Sequence, residues 1–232
     1  MILNQHRAEA ERWQATLPSA PRALAYLQRR GIAEESLQAW HIGYCDSDTS
    51  IMGRRITFPI IDLGGNVVSV AGRAIDGANP KYWHFPYRKE RYLYGAHLIP
   101  AGCEFVVLCE GQVDAILIRQ AGYPACAVMG SSLSPIAAAT LRIWTERVVV
   151  YPDNIVPDAH AFNKALKWIP VLRSVGIEAV FPQRPYKDDQ CSDPASIIWD
   201  DKQGKPNDPQ WLHQQIKQAA AGFAMDDALD LF

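Results

Sequence analysis

Acidic side chains stand at the ends of two apolar, strand-like segments of the sequence. Glu110 follows the segment 105–109, with Asp114 four residues further on, and Asp153 comes just after the segment 147–151. Because functional groups of open parallel sheets collect beyond the carboxyl ends of the strands, we expect these carboxylates to meet at one edge. Carboxylate oxygens suit Mg²⁺, which also keeps water and substrate phosphates in its shell. The pattern therefore predicts metal-assisted phosphoryl transfer.

A purely structural interpretation of the same acids also exists, because acidic residues after parallel strands can serve as helix N-caps. Asp153 precedes a helical pattern and fits this role, whereas Glu110 is a poor N-cap type and is the stronger candidate for chemistry. A third strand ends in the segment 130–132, Gly-Ser-Ser, whose small residues permit close approach of a phosphate or a neighbouring loop.

The elements that must position these residues alternate between strand and helix from residue 104 onward. Short, unbroken apolar strands between amphipathic helices predict a parallel sheet covered on both faces. The expected strands cover 105–109, 125–129, 147–151 and 177–181. The expected helices cover 112–121, 135–144, 159–172 and, after the sheet has ended, 210–221.

The first hundred residues predict a mixed helical and β-rich unit. A helical pattern over 6–26 is interrupted by two prolines and fits two short helices, and a third helix is expected at 34–40. Two β-rich runs, 55–62 and 66–71, flank Gly64 and Gly65 and predict a hairpin. The following stretch, 81–94, mixes aromatic rings with basic residues, which offers stacking and phosphate pairing to a nucleic acid.

The overall composition predicts a folded cytoplasmic protein. The 232 residues are 48% hydrophobic with a formal net charge of −2, which argues against a generally basic surface but not against a local basic cluster. Five cysteines show no C-x-x-C spacing, so no zinc site or disulfide framework is indicated. We also expect no signal peptide and no membrane span.

The segment Glu110-Gly111-Gln112-Val113-Asp114 resembles the E-G-x-x-D motif that opens the TOPRIM fold. Other segments resemble the catalytic core of bacterial and phage DNA primases, in the order found there and over most of residues 26–198. They are 26–32 (Tyr-Leu-Gln-Arg-Arg-Gly-Ile), 42–44 (Ile-Gly-Tyr), 58–60 (Phe-Pro-Ile), 72–73 (Gly-Arg), 80–82 (Pro-Lys-Tyr) and 93–95 (Leu-Tyr-Gly). An ordered set of this kind is more specific than any single motif.

The resemblance implies a TOPRIM-type parallel sheet flanked by helices and preceded by a smaller α+β subdomain. The expected boundaries are 1–102 for that subdomain, 103–200 for the TOPRIM domain and 201–232 for a final helix and tail. The implied activity is RNA primer synthesis on single-stranded DNA from nucleoside triphosphates with Mg²⁺ or Mn²⁺, without zinc. The implied catalytic residues are Glu110 and Asp153, the metal ligands Glu110, Asp114, Asp153 and Asp193, and the nucleotide or nucleic-acid contacts Arg55, Arg73, Lys81 and Tyr82.

The sequence also departs from the family pattern. The D-x-D motif reads Asp153-Asn154-Ile155 and the D-P-D motif reads Asp193-Pro194-Ala195, so Ile155 and Ala195 replace acids and the second metal position is weakened or lost. Asp158 and His160 are candidate substitutes, although a helix-surface role also fits both. His84 stands where the family has an asparagine.

Three functions are compatible with these motifs. The first is an active compact primase of phage or plasmid type. The second is a primase-like subunit that binds nucleic acid or a replication partner without polymerising, and the third is a TOPRIM nuclease, against which the upstream motifs argue. The resemblance does not extend to the family's zinc-binding and helicase-binding domains, so we expect template selection to depend on another polypeptide or not to occur. The candidate partners are a sliding clamp, a helicase and a separate zinc-bearing subunit.

The last seven residues, Asp226 to Phe232, predict a docking peptide that is acidic and ends on apolar side chains. Leu229, Leu231 and Phe232 resemble the short motif by which replication proteins bind the bacterial sliding clamp, with Ala228 in place of the usual glutamine. An acidic tail that ends in Phe is also similar to the tip of single-stranded-DNA-binding proteins. The alternative is that these side chains fold back onto the protein's own surface.

Overall fold

The computed structural model describes residues 2–153, 166–183, 185–186 and 191–229. Three helices open the chain: α1 (Ile2–Thr16), α2 (Pro21–Arg29) and α3 (Glu34–Ala39). The two prolines do divide the first helical pattern, because a 3₁₀ turn at Leu17–Ser19 separates α1 from α2 and Pro21 opens α2, where its missing N–H costs nothing.

The first sheet is antiparallel and lies in the order β1-β2-β3-β4. Its strands are β1 (Gly43–Cys45), β2 (Arg55–Ile61), β3 (Val67–Ala74) and β4 (Tyr82–His84). The predicted hairpin is β2–β3, and its turn is held by Asp62, whose Oδ1 accepts hydrogen bonds from the backbone N–H groups of Gly64 and Asn66. Strands β1 and β4 were not expected, because each is short and lies outside the strand-helix alternation that begins at residue 104.

The second sheet is parallel and lies in the order β6-β5-β7-β8. Its elements are β5 (Val106–Cys109), α4 (Gln112–Gln120), β6 (Ala125–Ala127), α5 (Pro135–Leu141), β7 (Arg147–Val150), α6 (Trp168–Ser174) and β8 (Glu178–Val180). The chain continues with α7 (Pro194–Ile198), a short hairpin of β9 (Trp199–Asp200) and β10 (Lys205–Pro206), and α8 (Pro209–Leu229). The predicted fold class, a parallel sheet flanked by helices after a smaller α+β unit, is confirmed.

Both faces of the parallel sheet are buried. Val107 and Cys109 face one apolar cluster, while Val106 and Leu108 face another, as the alternation of side chains along a strand requires. The second cluster is completed by α5 and α6. The first also contains side chains of α2, β2, α4 and α8, including Leu27, Ile56, Ile116 and Leu212. One core therefore contains side chains from both sides of the expected 102/103 boundary.

A turn over residues 29–33 is fastened to two distant parts of the chain. Trp199 Nε1 donates to the Arg29 carbonyl at 2.8 Å, and Arg30 pairs with Asp201 at 2.8 Å. The Gln120 side chain donates to the Gly31 carbonyl at 2.9 Å and accepts from the Ala33 N–H at 3.0 Å. The hydrogen bonds to the Arg29 and Gly31 carbonyls satisfy backbone acceptors that have no partner within α2. We call this set of contacts the 29–33 clasp.

The last helix is longer than the sequence pattern predicted. It continues past Ala221 to Leu229, through Gly222. A single glycine costs a helix only about 1 kcal/mol relative to alanine, and the surrounding alanines and Met225 favour helix. Among the described residues, no helix has the length and apolar character that a membrane span requires.

Candidate active site

A cleft of about 460 Å³ lies between the antiparallel sheet and the carboxyl ends of the parallel strands. One wall comes from β3, β4 and the segment after β4, and the other from the ends of β5 and β7, the start of α4 and the start of α7. The functional groups of this lining are Arg30, Arg73, Tyr82, His84, Tyr87, Lys89, Glu110, Asp114, Asp153 and Asp193.

All four of the predicted acidic ligands line this cleft. Glu110 follows β5 directly, Asp114 lies in the first turn of α4, Asp153 follows β7 and Asp193 precedes α7. The parallel arrangement of β5 and β7 brings the first and third of these together, because adjacent parallel strands end at the same edge. Their roles in metal binding and catalysis stay predictions.

Asp114 is buried, with only 6% of its surface exposed. Its Oδ1 accepts a hydrogen bond of 2.9 Å from the backbone N–H of Ala195. Burial raises the pKa of the Asp114 carboxyl well above its usual range, and the nearby acids Asp193 and Asp153 raise it further. The Ala195 N–H and the Arg30 guanidinium act in the opposite direction. A divalent cation in the cleft would offset this crowding of negative charge.

Asp193 is the N-cap of α7. Its Oδ1 accepts from the Ser196 N–H at 2.8 Å, and Ser196 Oγ accepts in return from the Asp193 N–H at 3.1 Å, which completes a capping box. Asp193 therefore has a structural role as a helix cap, the role that the sequence analysis considered for Asp153. The segment after Asp153 lies outside the described residues.

The four carboxylates are the kind of donor that Mg²⁺ or Mn²⁺ prefers, so their chemistry fits the predicted cofactor. Within the part of the chain that the structure describes, however, no three His, Cys, Asp or Glu side chains form a group that could hold a metal ion. Water and substrate phosphates would have to provide the remaining ligands.

Arg73 is the central cation of the opposite wall. Its guanidinium lies 5.5 Å from the Tyr26 ring and 5.0 Å from the Tyr82 ring, and Nη1 donates to the Tyr82 hydroxyl. Stacking on two aromatic rings holds a guanidinium in place while leaving N–H groups for a ligand. Arg73 and Tyr82 therefore line the cleft opposite the acids, and their role as nucleotide contacts stays a prediction.

The other two predicted basic contacts do not line the cleft. Arg55 is only 6% exposed, packs against Gly72 and donates to the Lys81 carbonyl at 3.3 Å. Lys81 is exposed to solvent at the edge of the sheet. Arg55 thus orders the backbone that carries Lys81, and Lys81 lies next to the cleft lining instead of within it.

The aromatic run after Lys81 is split between two environments. Tyr82 and His84 are exposed and line the cleft. Phe85 instead stacks on His6 at 4.8 Å and on Trp13 at 6.3 Å, within the core between α1 and the first sheet. The expectation that Phe85 belongs to a nucleic-acid surface is therefore not matched by its packing.

Four functional groups of the cleft lining were not singled out from the sequence as ligand contacts: Arg30, His84, Tyr87 and Lys89. Arg30 lay inside a family-like segment, Lys89 lay in the basic aromatic run, and His84 was noted only as a departure. Lys89 Nζ lies 2.5 Å from the position that a Cβ on Gly130 would take, so the glycine after β6 makes room for a neighbouring loop. Burial lowers the pKa of the Lys89 amine.

Several predicted residues lie outside the described part of the chain. These are Asn154, Ile155, Asp158, His160, Leu231 and Phe232. The backbone of Leu229 is described as the last residue of α8.

No protein-family model matches the chain. Its sequence is 30% identical over 191 residues to a DNA primase of Helicobacter pylori strain J99, a match that covers 66% of this chain and 34% of that protein. The chain thus spans about a third of the length of this curated relative.

Solved structures resemble the fold over nearly the whole chain. The Escherichia coli primase catalytic core is matched with a TM-score of 0.74 at 22% identity, over 100% of this chain and 85% of that one. A DnaG primase catalytic domain bound to single-stranded DNA is matched with a TM-score of 0.72 at 24% identity, over 94% and 80%.

Proposed function

Because the chain is a relative of the bacterial DNA primases and has the fold of their catalytic core, we propose that it synthesises RNA primers on single-stranded DNA. The observation that carries this proposal is the cleft, in which four carboxylates face Arg73, Arg30 and Lys89. Joining ribonucleotides requires both sets: oxygen ligands for a divalent cation and cationic groups for phosphates.

In the proposed mechanism Mg²⁺ or Mn²⁺ would draw its protein ligands from Glu110, Asp114, Asp153 and Asp193, and water and substrate phosphates would complete its coordination shell. A bound ion of this kind polarises phosphoryl oxygens and lowers the cost of charge that develops on them. Arg73, held between two tyrosine rings, orients the triphosphate, because a fixed guanidinium loses little entropy on binding. The 2.9 Å hydrogen bond from the Ala195 N–H to Oδ1 fixes the orientation of the Asp114 carboxylate within the cleft.

The charge distribution supports a template on the first half of the chain. Residues 1–102 contain twelve basic and nine acidic residues, whereas residues 103–232 contain eleven basic and sixteen acidic residues. A polyanion is attracted to the more positive half. One matched relative was solved with single-stranded DNA bound, which supports the same ligand class for this chain.

The test is incorporation of labelled ribonucleotides on single-stranded DNA with Mg²⁺ or Mn²⁺. The wild-type protein should make short RNA products, and Glu110→Gln should abolish them, because the amide cannot replace the charge of the carboxylate. Glu104→Gln is a matched control, since Glu104 is exposed just before the other end of β5. No product from the wild type, or equal product from Glu110→Gln, would refute catalysis at this site.

A second function, a primase-like subunit that binds nucleic acid without polymerising, is favoured by two residues at the start of α7. Asp193 is engaged as a helix cap, and Ala195, where the family has an acid, contributes only a backbone N–H to the cleft. This alternative predicts single-stranded DNA binding without nucleotide incorporation in the same assay. Partners such as a helicase or a separate zinc-bearing subunit would then supply the steps of priming that this chain does not perform.

A further inference from the structure

His84 is the last residue of β4 and lines the cleft beside Arg73's strand, in register with Ala71. Its ring Nδ1 lies 3.1 Å from the Phe85 carbonyl oxygen. The edge of the ring meets the Tyr87 ring at a centroid distance of 5.3 Å and an angle of 87°. A backbone bond and an aromatic neighbour therefore hold the orientation of an otherwise exposed imidazole.

The carbonyl contact decides the tautomer of the neutral ring. A carbonyl oxygen only accepts, so Nδ1 carries the hydrogen and donates it to Phe85. Nε2 is left with a lone pair, and within the described residues it makes no hydrogen bond. A second proton converts Nε2 into a donor and gives the ring a positive charge.

The surroundings of His84 contain charges of both signs. The titratable or charged groups in the same lining are Arg30, Arg73, Tyr82, Tyr87, Lys89, Glu110, Asp114, Asp153 and Asp193. The cations come from the wall that includes His84 and from the end of α2, and the acids come from the opposite wall. His84 thus lies on the same wall of the cleft as Arg73, to which the proposed function assigns phosphate binding.

We propose that His84 is a proton-dependent contact for a phosphate group of the bound nucleotide, an inference that rests on the proposed function. The neutral ring offers a phosphate only a lone pair, which repels its oxygens, whereas the protonated ring offers an N–H and a charge. Histidine is the side chain whose charge normally changes between pH 5 and 8. The asparagine that the family pattern has at this position cannot make that change.

Two substitutions separate the hydrogen bond to Phe85, the donor at the place of Nε2 and the charge gained at low pH. In His84→Asn the amide nitrogen takes the place of Nδ1, so the bond to the Phe85 carbonyl is retained, but no charge is gained at low pH. In His84→Gln the amide reaches the place of Nε2 and provides a donor that does not depend on pH. Melting temperatures of the three proteins show whether they are equally folded.

The measurement is the affinity for a non-hydrolysable ATP analogue between pH 5.5 and 8.0 with Mg²⁺ present. Between these limits the wild type should gain about tenfold more affinity than His84→Asn, because only the wild-type ring gains a charge and a second N–H donor on protonation. Both proteins share Asp114, the other acids and the titrating phosphates, so the difference isolates His84. His84→Gln should resemble the wild type near pH 6 and show the flat profile of His84→Asn.

A second readout is the imidazole proton resonance of His84, assigned by its absence in His84→Asn. Adding the ATP analogue at pH 7 should move this resonance toward the position that it has at pH 5.5. Parallel affinity profiles or an unmoved resonance would overturn the role of His84 and leave the proposed function intact. Absence of nucleotide binding at every pH, in all three proteins, would overturn both.

Discussion

Asp114 is the residue at which burial and neighbouring charge act together. The carboxyl is buried beside two other acids, so its pKa is raised in the folded protein. In the unfolded chain an aspartate loses its proton near pH 4. The stability from protonated Asp114 is therefore fully present below that pH and is lost as the pH rises toward the higher folded value.

Asp114→Asn should consequently raise the melting temperature at pH 7 in the absence of divalent ions, because the amide needs no proton and can still accept from the Ala195 N–H. Each kcal/mol gained corresponds to about 2–4 °C for a chain of this size. The gain should shrink near pH 4, and Mg²⁺ should stabilise the wild type more than the variant, which has lost one carboxylate ligand. Asp46→Asn, at an exposed site, is the control; an equal gain at both pH values would contradict the assignment.

Asp153 allows a direct test of the metal site. Calorimetric titration with Mn²⁺ should show binding to the wild type and an affinity at least about tenfold lower for Asp153→Asn, because one carboxylate ligand is removed. Unchanged Mn²⁺ affinity would mean that the ion is held elsewhere.

At the scale of elements, the wall formed by β3 and β4 explains what the sequence could and could not predict. The strand-helix alternation after residue 104 placed Glu110 and Asp153 at one sheet edge, because in parallel sheets local pattern and site position are linked. Strand β4 gave no such signal, and only its packing shows that Tyr82 faces the cleft while Phe85 faces the core. Arg30 and Lys89 reach the cleft only through the tertiary packing of the chain, which the sequence pattern does not reveal.

The same wall predicts a salt-dependent interaction with single-stranded DNA. Replacing Arg73 and Lys81 together by alanine should weaken binding for all sequences. The salt dependence should also become weaker: the negative slope of log affinity against log salt should decrease in magnitude by about 1.4, or about 0.7 for each phosphate that the variant no longer neutralises. Replacing Arg7 and Lys202, exposed basic residues outside the cleft, is the matched control. Equal slopes for the two double variants would place the nucleic-acid surface elsewhere.

At the scale of the whole molecule, α8 connects the core with the chain's acidic end. Phe223 is fully buried, and the helix backbone continues to Leu229. Deleting residues 229–232 should leave the melting temperature unchanged and abolish binding to a bacterial sliding clamp, measured by surface plasmon resonance. A lowered melting temperature with no change in clamp binding would support the alternative that the tail packs on the protein itself.

The core shared across residue 102 bears on whether the chain can be divided. Leu27 and Ile56 pack in the same cluster as Ile116 and Leu212, and the 29–33 clasp joins α2 to α4 and β9. A split protein cut between Gly102 and Cys103 should therefore yield two fragments that expose apolar faces and fold poorly alone. Mixed together, they should reassociate and recover the circular dichroism spectrum of the intact chain, which would make the proposed primer synthesis conditional on fragment complementation.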